Sequence, residues 1–168
     1  MTISMYAASV PRFAGMLRNL AAILDKAQTH ARAKKSDPAT LLTARLFPDM
    51  FPLVKQVQIA CDHAKGAVAR LAGVEVPKYE DTEQSFEELQ ARLAKTMAFV
   101  ESFAAGQIDG SEERQIALRI GGHDMSFRGM PYLLGFAWPN FYFHVVTAYN
   151  ILRHNGVEIG KRDYVGTH

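Results

Sequence analysis

His144 is the residue whose type and setting most readily imply chemistry. It stands in FYFHVV, inside a stretch from Met130 to Leu152 that contains no Asp, Glu, Lys or Arg. An imidazole carried into an interior must satisfy at least one ring nitrogen, so a specific partner is expected. Two readings stand side by side: a structural histidine bonded to a carbonyl or side chain, and a metal ligand or general base. Asn140 lies four residues earlier, on the same helix face. That spacing brings two side chains to one point in many metal sites, yet an amide is a poor ligand for the metals imidazole prefers. Holding the backbone around Pro139 is the stronger reading of Asn140.

A second polar pair, Gln58 and Asp62, repeats the four-residue spacing on an earlier helix. At about 100° per residue, Asp62 falls roughly 130° from the centre of that helix's apolar stripe, on a polar arc with Lys55 and Lys65. A solvent-facing or capping carboxylate is the reading this geometry favours. His63 falls on the same arc. His30, His123, His154 and His168 occupy helix ends, a turn and the tail, and none forms a metal-spaced pair. Cys61, the one cysteine, sits among Val57, Ala64 and Val68 at helical spacing and reads as a small buried hydrophobe. There is no H-E-x-x-H, C-x-x-C, phosphate-binding glycine loop or G-x-S-x-G. The aromatics Phe136, Trp138, Phe141, Tyr142 and Phe143 serve core packing more readily than a pocket wall.

The elements that must position these residues are mostly helical. Phe13, Met16, Leu17, Leu20 and Leu24 recur at three- and four-residue steps, predicting a helix over 4–33, kinked or restarted at Pro11. Asp37 and Pro38 launch a short helix through Ala44. Asp49 and Pro52 begin the next long helix, striped by Val54, Val57, Cys61, Ala64, Val68 and Leu71 and ended by Gly73. After the loop VEVPKYED, Asp81 is expected to cap a third long helix over 82–103. The period then changes to two: Ile116, Leu118 and Ile120, then Met125 and Phe127, flank Gly121-Gly122-His123-Asp124. This predicts a small β-hairpin, which must lie on the helices to be stable. A last helix over 131–155 bends at Pro139, and the tail VEIGKRDYVGTH is expected to be irregular. The fold class is therefore all-α, a four-helix bundle with a β-hairpin before its last long helix, as one domain over 1–168.

Bulk properties narrow the partners. Nineteen basic and 17 acidic residues leave a net charge of +2, with no concentrated basic face for nucleic acid. The run Arg32, Lys34, Lys35 reads as a solvated helix end. The uncharged stretch could span a bilayer by length, but Pro131, Gly135, Pro139, Asn140, His144, Thr147 and Asn150 load it too heavily, so a buried core helix is expected. The N-terminus lacks a signal-peptide pattern. No membrane association and a cytoplasmic location follow as expectations.

The segment PNFYFHVVTAYNILRHNG resembles the last helix of the DinB/YfiT-like proteins. These are four-helix bundles with a metal-binding histidine triad: one ligand from the second long helix and two from an H-x-x-x-H on the last. His144 matches the second histidine of that motif, and Leu152, Arg153 and Gly156 follow at the expected distances. The blocks ARLFPDMFPLVKQVQIACDHAKGAVARLAGVEVP, FEELQARLAKT and PNFYFHVVTAYNILRHNGVEIGKRDYVG are similar to an uncharacterised subgroup, a domain of unknown function, over nearly the whole chain. Asn140 replaces the first histidine of the motif. Gln58, Asp62 or His63 stands where the second helix should supply its ligand.

The resemblance implies a polar pocket around His144 for a metal or a small molecule. Its metal set would be His144, Asp62, Asn140 and Gln58, an oxygen-rich group for a divalent transition metal, zinc or nickel. In a catalytic version, His144 would be a ligand or the general base, and Asp62 a ligand or its orienting carboxylate. Relatives with intact triads include metal-dependent transferases and isomerases using low-molecular-weight thiols. The alternative is a non-catalytic bundle with a lost metal site, paired as the homodimer that related bundles often form.

Overall fold

The computed structural model describes residues 3–166, so His168 lies outside the described residues. Helix α1 (Met5–Ala33) is capped by Ser4, whose hydroxyl accepts from the Ala7 amide at 3.2 Å, and it runs unbroken through Pro11. Helix α2 (Ala39–Thr43) follows, its Ala39 amide donating to the Asp37 carboxylate at 2.9 Å. Helices α3 (Leu53–Ala72) and α4 (Phe86–Glu101) are the next two members of the bundle. The expected stripes face inward: Phe13, Leu17, Leu20 and Leu24 of α1, Val57, Cys61, Ala64, Val68 and Leu71 of α3, and Phe86, Leu89, Leu93 and Val100 of α4 are all buried. Met16, Val54 and Met97 pack at the edge of this core.

The start of α4 differs from expectation. Ser85, not Asp81, is the cap: its hydroxyl accepts from the Glu88 amide, and the Glu88 carboxylate accepts from the Ser85 amide. This reciprocal pairing satisfies two backbone donors that a helix start leaves open. Asp81 is instead drawn to Lys55 and Arg92. A tertiary ion pair has taken the residue that local sequence assigns to a cap.

Beyond a short α5 (Ala105–Ile108), strands β1 (Gln115–Ile120) and β2 (His123–Arg128) pair antiparallel, with Ile116 opposite Phe127 and Ile120 opposite His123. The connection is Gly121-Gly122, both at positive φ (56° and 86°). A two-residue turn that follows the strands' twist needs that conformation twice, which explains paired glycines. The hairpin buries its base through Ile116 and leaves Ile120 and Met125 near its tip exposed.

The last long segment comprises α6 (Gly129–Tyr132), a π-helical turn (Leu133–Ala137) and α7 (Trp138–His154). Proline lacks an N–H and crowds the carbonyl four residues before it. The wider π turn just ahead of Pro139 meets both demands without breaking the helix, where a bend was expected. The tail is not wholly irregular: α8 (Lys161–Val165) is tied to α1 by the Lys26–Asp163 ion pair at 2.6 Å. No helix among the described residues is long and apolar enough to cross a membrane.

In the bundle, α1 packs on α4, and α3 packs on both α7 and α4. Helix α3 is therefore central. Gln56, Gln58 and Lys65 are buried along with its apolar stripe, so its polar arc faces other elements where the sequence reading turned it to solvent.

Candidate functional site

The polar arc of α3 divides into two groups. Towards α4 and the preceding loop, Arg92 is 4 % exposed and gathers three carboxylates: Asp62 at 3.1 Å, Asp81 at 3.0 Å and Glu83 at 2.9 Å. Gln58 donates to Glu83 at 2.8 Å, and Lys65 pairs with Asp62 at 2.9 Å. Burial alone would raise the carboxyl pKa values of Asp81 and Glu83. The cations and donors outweigh it and hold both below their usual range. Of the expected metal set, Gln58 is thus turned towards Glu83, and Asp62 is neutralised by two cations.

Towards α7, the arc presents Gln56 and His63. His144 bonds through Nδ1 to the Gln56 side-chain oxygen at 2.7 Å, while the Gln56 amide nitrogen donates to the Phe51 carbonyl at 3.0 Å. The second bond fixes which end of the amide is oxygen, so His144 must carry its proton on Nδ1. Its Nε2 is left as the unprotonated nitrogen. Gln56→Leu should strand both the imidazole N–H and the Phe51 carbonyl, lowering stability by about 1–3 kcal/mol in urea denaturation.

The His63 ring stacks on His144, centroids 5.8 Å apart and planes 15° apart, and meets Phe136 edge-on at 6.0 Å. Burial, reinforced by the neighbouring imidazole and partly opposed by Asp62, lowers the His63 pKa to about 4. Burial lowers that of His144 as well. Both rings are neutral at neutral pH. The unfolded chain takes up a proton near pH 6.5 that folded His63 refuses until about pH 4. Stability should therefore fall with acid through that window. The expected loss is about 2 kcal/mol, allowing for water that still reaches a half-buried ring. The pH dependence of unfolding checks this, and His63→Leu should flatten it.

Asp62, His63 and Arg70 of α3, residues 117–120 of β1, Phe136 of the π turn and Asn140 of α7 line a cleft of about 420 Å³. That is within the size range of small-molecule sites. The pocket expected around His144 is thus lined by His63, on which His144 stacks, and not by His144 itself. The π turn places Phe136 and Asn140 on the α3 side. The Asn140 amide donates to the Phe136 carbonyl at 2.7 Å, the backbone role that ranked first for it. Arg70 donates to the Tyr132 hydroxyl at 3.1 Å and lies back over Gly66. A mid-helix glycine costs about 1 kcal/mol relative to alanine, and here it is the space the guanidinium occupies.

A metal triad does not fit these residues. No three His, Cys, Asp or Glu side chains converge in metal-binding fashion among the described residues. Cys61 is fully buried, and desolvation pushes its thiol up to about 11, consistent with a packing role. Local sequence gives Gln56 and Arg70 no distinguishing mark and sets His63 on a polar arc. The available signal was the density of polar residues on a helix that turns out to be enclosed.

The family model described as Domain of unknown function (DUF1993) matches residues 5–165. A crystal structure of a DinB family member protein from Shewanella denitrificans superposes with a TM-score of 0.91 at 44% identity, covering 97% of this chain and 92% of that one. A search of curated proteins finds no match. With the whole bundle matched at that identity, the chain belongs to the DUF1993 family, an uncharacterised subgroup of the DinB-like helical bundles.

Proposed function

We propose that this protein binds a small polar molecule in the cleft between α3, α7 and β1, contacting the imidazole of His63, which stacks on His144. The observation that carries the reading is the stack itself. Two neutral, near-parallel imidazoles, His63 lining the cleft and His144 held in one tautomer by Gln56, form a preorganised polar surface. Neutral rings of lowered basicity suit recognition better than proton abstraction at neutral pH. His144 acts through His63, orienting it, and takes no proton from a substrate. A thiol-transfer step through a bound metal is not part of this reading, because the donor set does not suit one.

Thermal-shift screening of small polar molecules, together with zinc and nickel, tests it in wild type and His63→Leu. Molecules that stabilise the wild type should lose their effect in the variant. Stabilisation that survives in His63→Leu, or the absence of any stabilising molecule, would contradict the reading. Stabilisation by zinc or nickel that requires both histidines would replace it with a metal site.

A further inference from the structure

Within the cleft, the charges are not evenly answered. Asp62 is paired with Lys65 and Arg92, and Arg119 lies 3.9 Å from Asp124 at the hairpin surface. Arg70 makes no ion pair among the described residues. One of its terminal nitrogens is held by the hydroxyl of Tyr132, a residue 1 % exposed, and its path over Gly66 is clear only because position 66 has no side chain. The guanidinium is thus fixed in place with donors to spare. A planar fork of N–H groups matches a carboxylate, to which it can donate two parallel bonds. Phe136 and Leu118 supply apolar surface in the same cleft, and Asn140 and His63 supply neutral polar groups.

We propose that the molecule bound in this cleft is a small carboxylate whose anionic head sits on Arg70 and whose apolar body lies against Phe136 and Leu118. This rests on the cleft being the binding site and adds the chemical class of its ligand. Arg70 is the cation of this cleft that no carboxylate among the described residues answers, so the cleft favours one negative charge, since a neutral isostere leaves the guanidinium desolvated and unanswered.

Calorimetric titration of the full chain with benzoate and with benzamide, its neutral isostere, tests the assignment. Benzoate should bind about tenfold more tightly than benzamide, the return expected from a charge-assisted pair. Arg70→Gln should abolish that preference. Gly66→Ala provides a second variant that keeps the arginine: the added methyl displaces the guanidinium while improving helix propensity. The gain in helix propensity offsets part of the lost Arg70–Tyr132 bond, so it should remain folded and lose the benzoate preference. A preference that survives Arg70→Gln, or equal binding of the two probes to wild type, overturns the assignment. Equal binding that still disappears in His63→Leu leaves the cleft reading standing. Binding of neither probe overturns the carboxylate assignment and counts against the cleft as well.

Discussion

Arg92→Met should destabilise the fold by about 2–4 kcal/mol, towards the range for breaking a buried charge cluster but short of its top because Asp62 and Asp81 keep some solvent. The Arg92 side chain is 2 % exposed, yet it is reached by Asp62, Asp81, Glu83 and the Glu80 carbonyl. Methionine fills much of the volume but leaves three carboxylates crowded together, with Lys55 and Lys65 as their remaining cations. The loss therefore comes from stranded charge more than from missing contacts. It follows that Arg92→Met combined with Glu83→Gln should be less damaging than Arg92→Met alone. Urea denaturation of the three variants checks this, and an additive double mutant would show that the cluster is not coupled. The same carboxylates set the acid limit. Asp81 and Glu83 are held below their usual pKa, so the stability they contribute is present above the ordinary carboxylate range. It is lost as pH falls through their lowered values.

Gly129→Ala should cost about 3 kcal/mol, at the upper end of overpacking effects, because the obstacle is backbone. A Cβ at Gly129 would overlap the Ser111 carbonyl oxygen and reach its carbon at 3.0 Å. The two segments cannot separate freely, since the Met130 amide donates to the Glu112 carbonyl at 2.9 Å. Gly129 begins α6 where β2 ends, and Ser111 and Glu112 lead into β1, so this contact closes the base of the hairpin. Four consecutive residues of β1 form one wall of the cleft. The alanine variant should consequently weaken ligand binding at temperatures where it is still folded, and thermal denaturation alongside a binding titration reads both effects. Full stability with unchanged binding would show that the hairpin is not anchored there.

Much of the bundle was legible because helix periodicity records burial directly. Leu17, Leu20 and Leu24, or Cys61, Ala64 and Val68, face the core as their spacing says. The hairpin was legible for the same reason, with a period of two and a glycine pair at the turn. Features decided by distant partners were not. Asp81 looks like a cap in local sequence and is an ion-pair partner in space, so α4 begins at Phe86. Pro139 announces a disturbance of the helix, but a bend and a π turn answer it equally well in local sequence. The largest error concerned α3. A stripe with a polar arc opposite implies one solvated face only when one face is covered, and α3 has neighbours on several sides. His63 thereby changed from a surface residue to the cleft-facing imidazole. The expected partner of His144 was correctly required but unidentifiable, because Gln56 is 88 positions away in sequence.

The most direct measurement is a set of histidine-selective nuclear magnetic resonance spectra recorded while benzoate or benzamide is titrated into the wild-type protein. The account predicts that His63 resonances move and saturate with either bound probe, followed by smaller shifts at His144, while His30 and His154 stay in place. Saturating shifts at those two with His63 unmoved would put the binding site elsewhere on the bundle and contradict it.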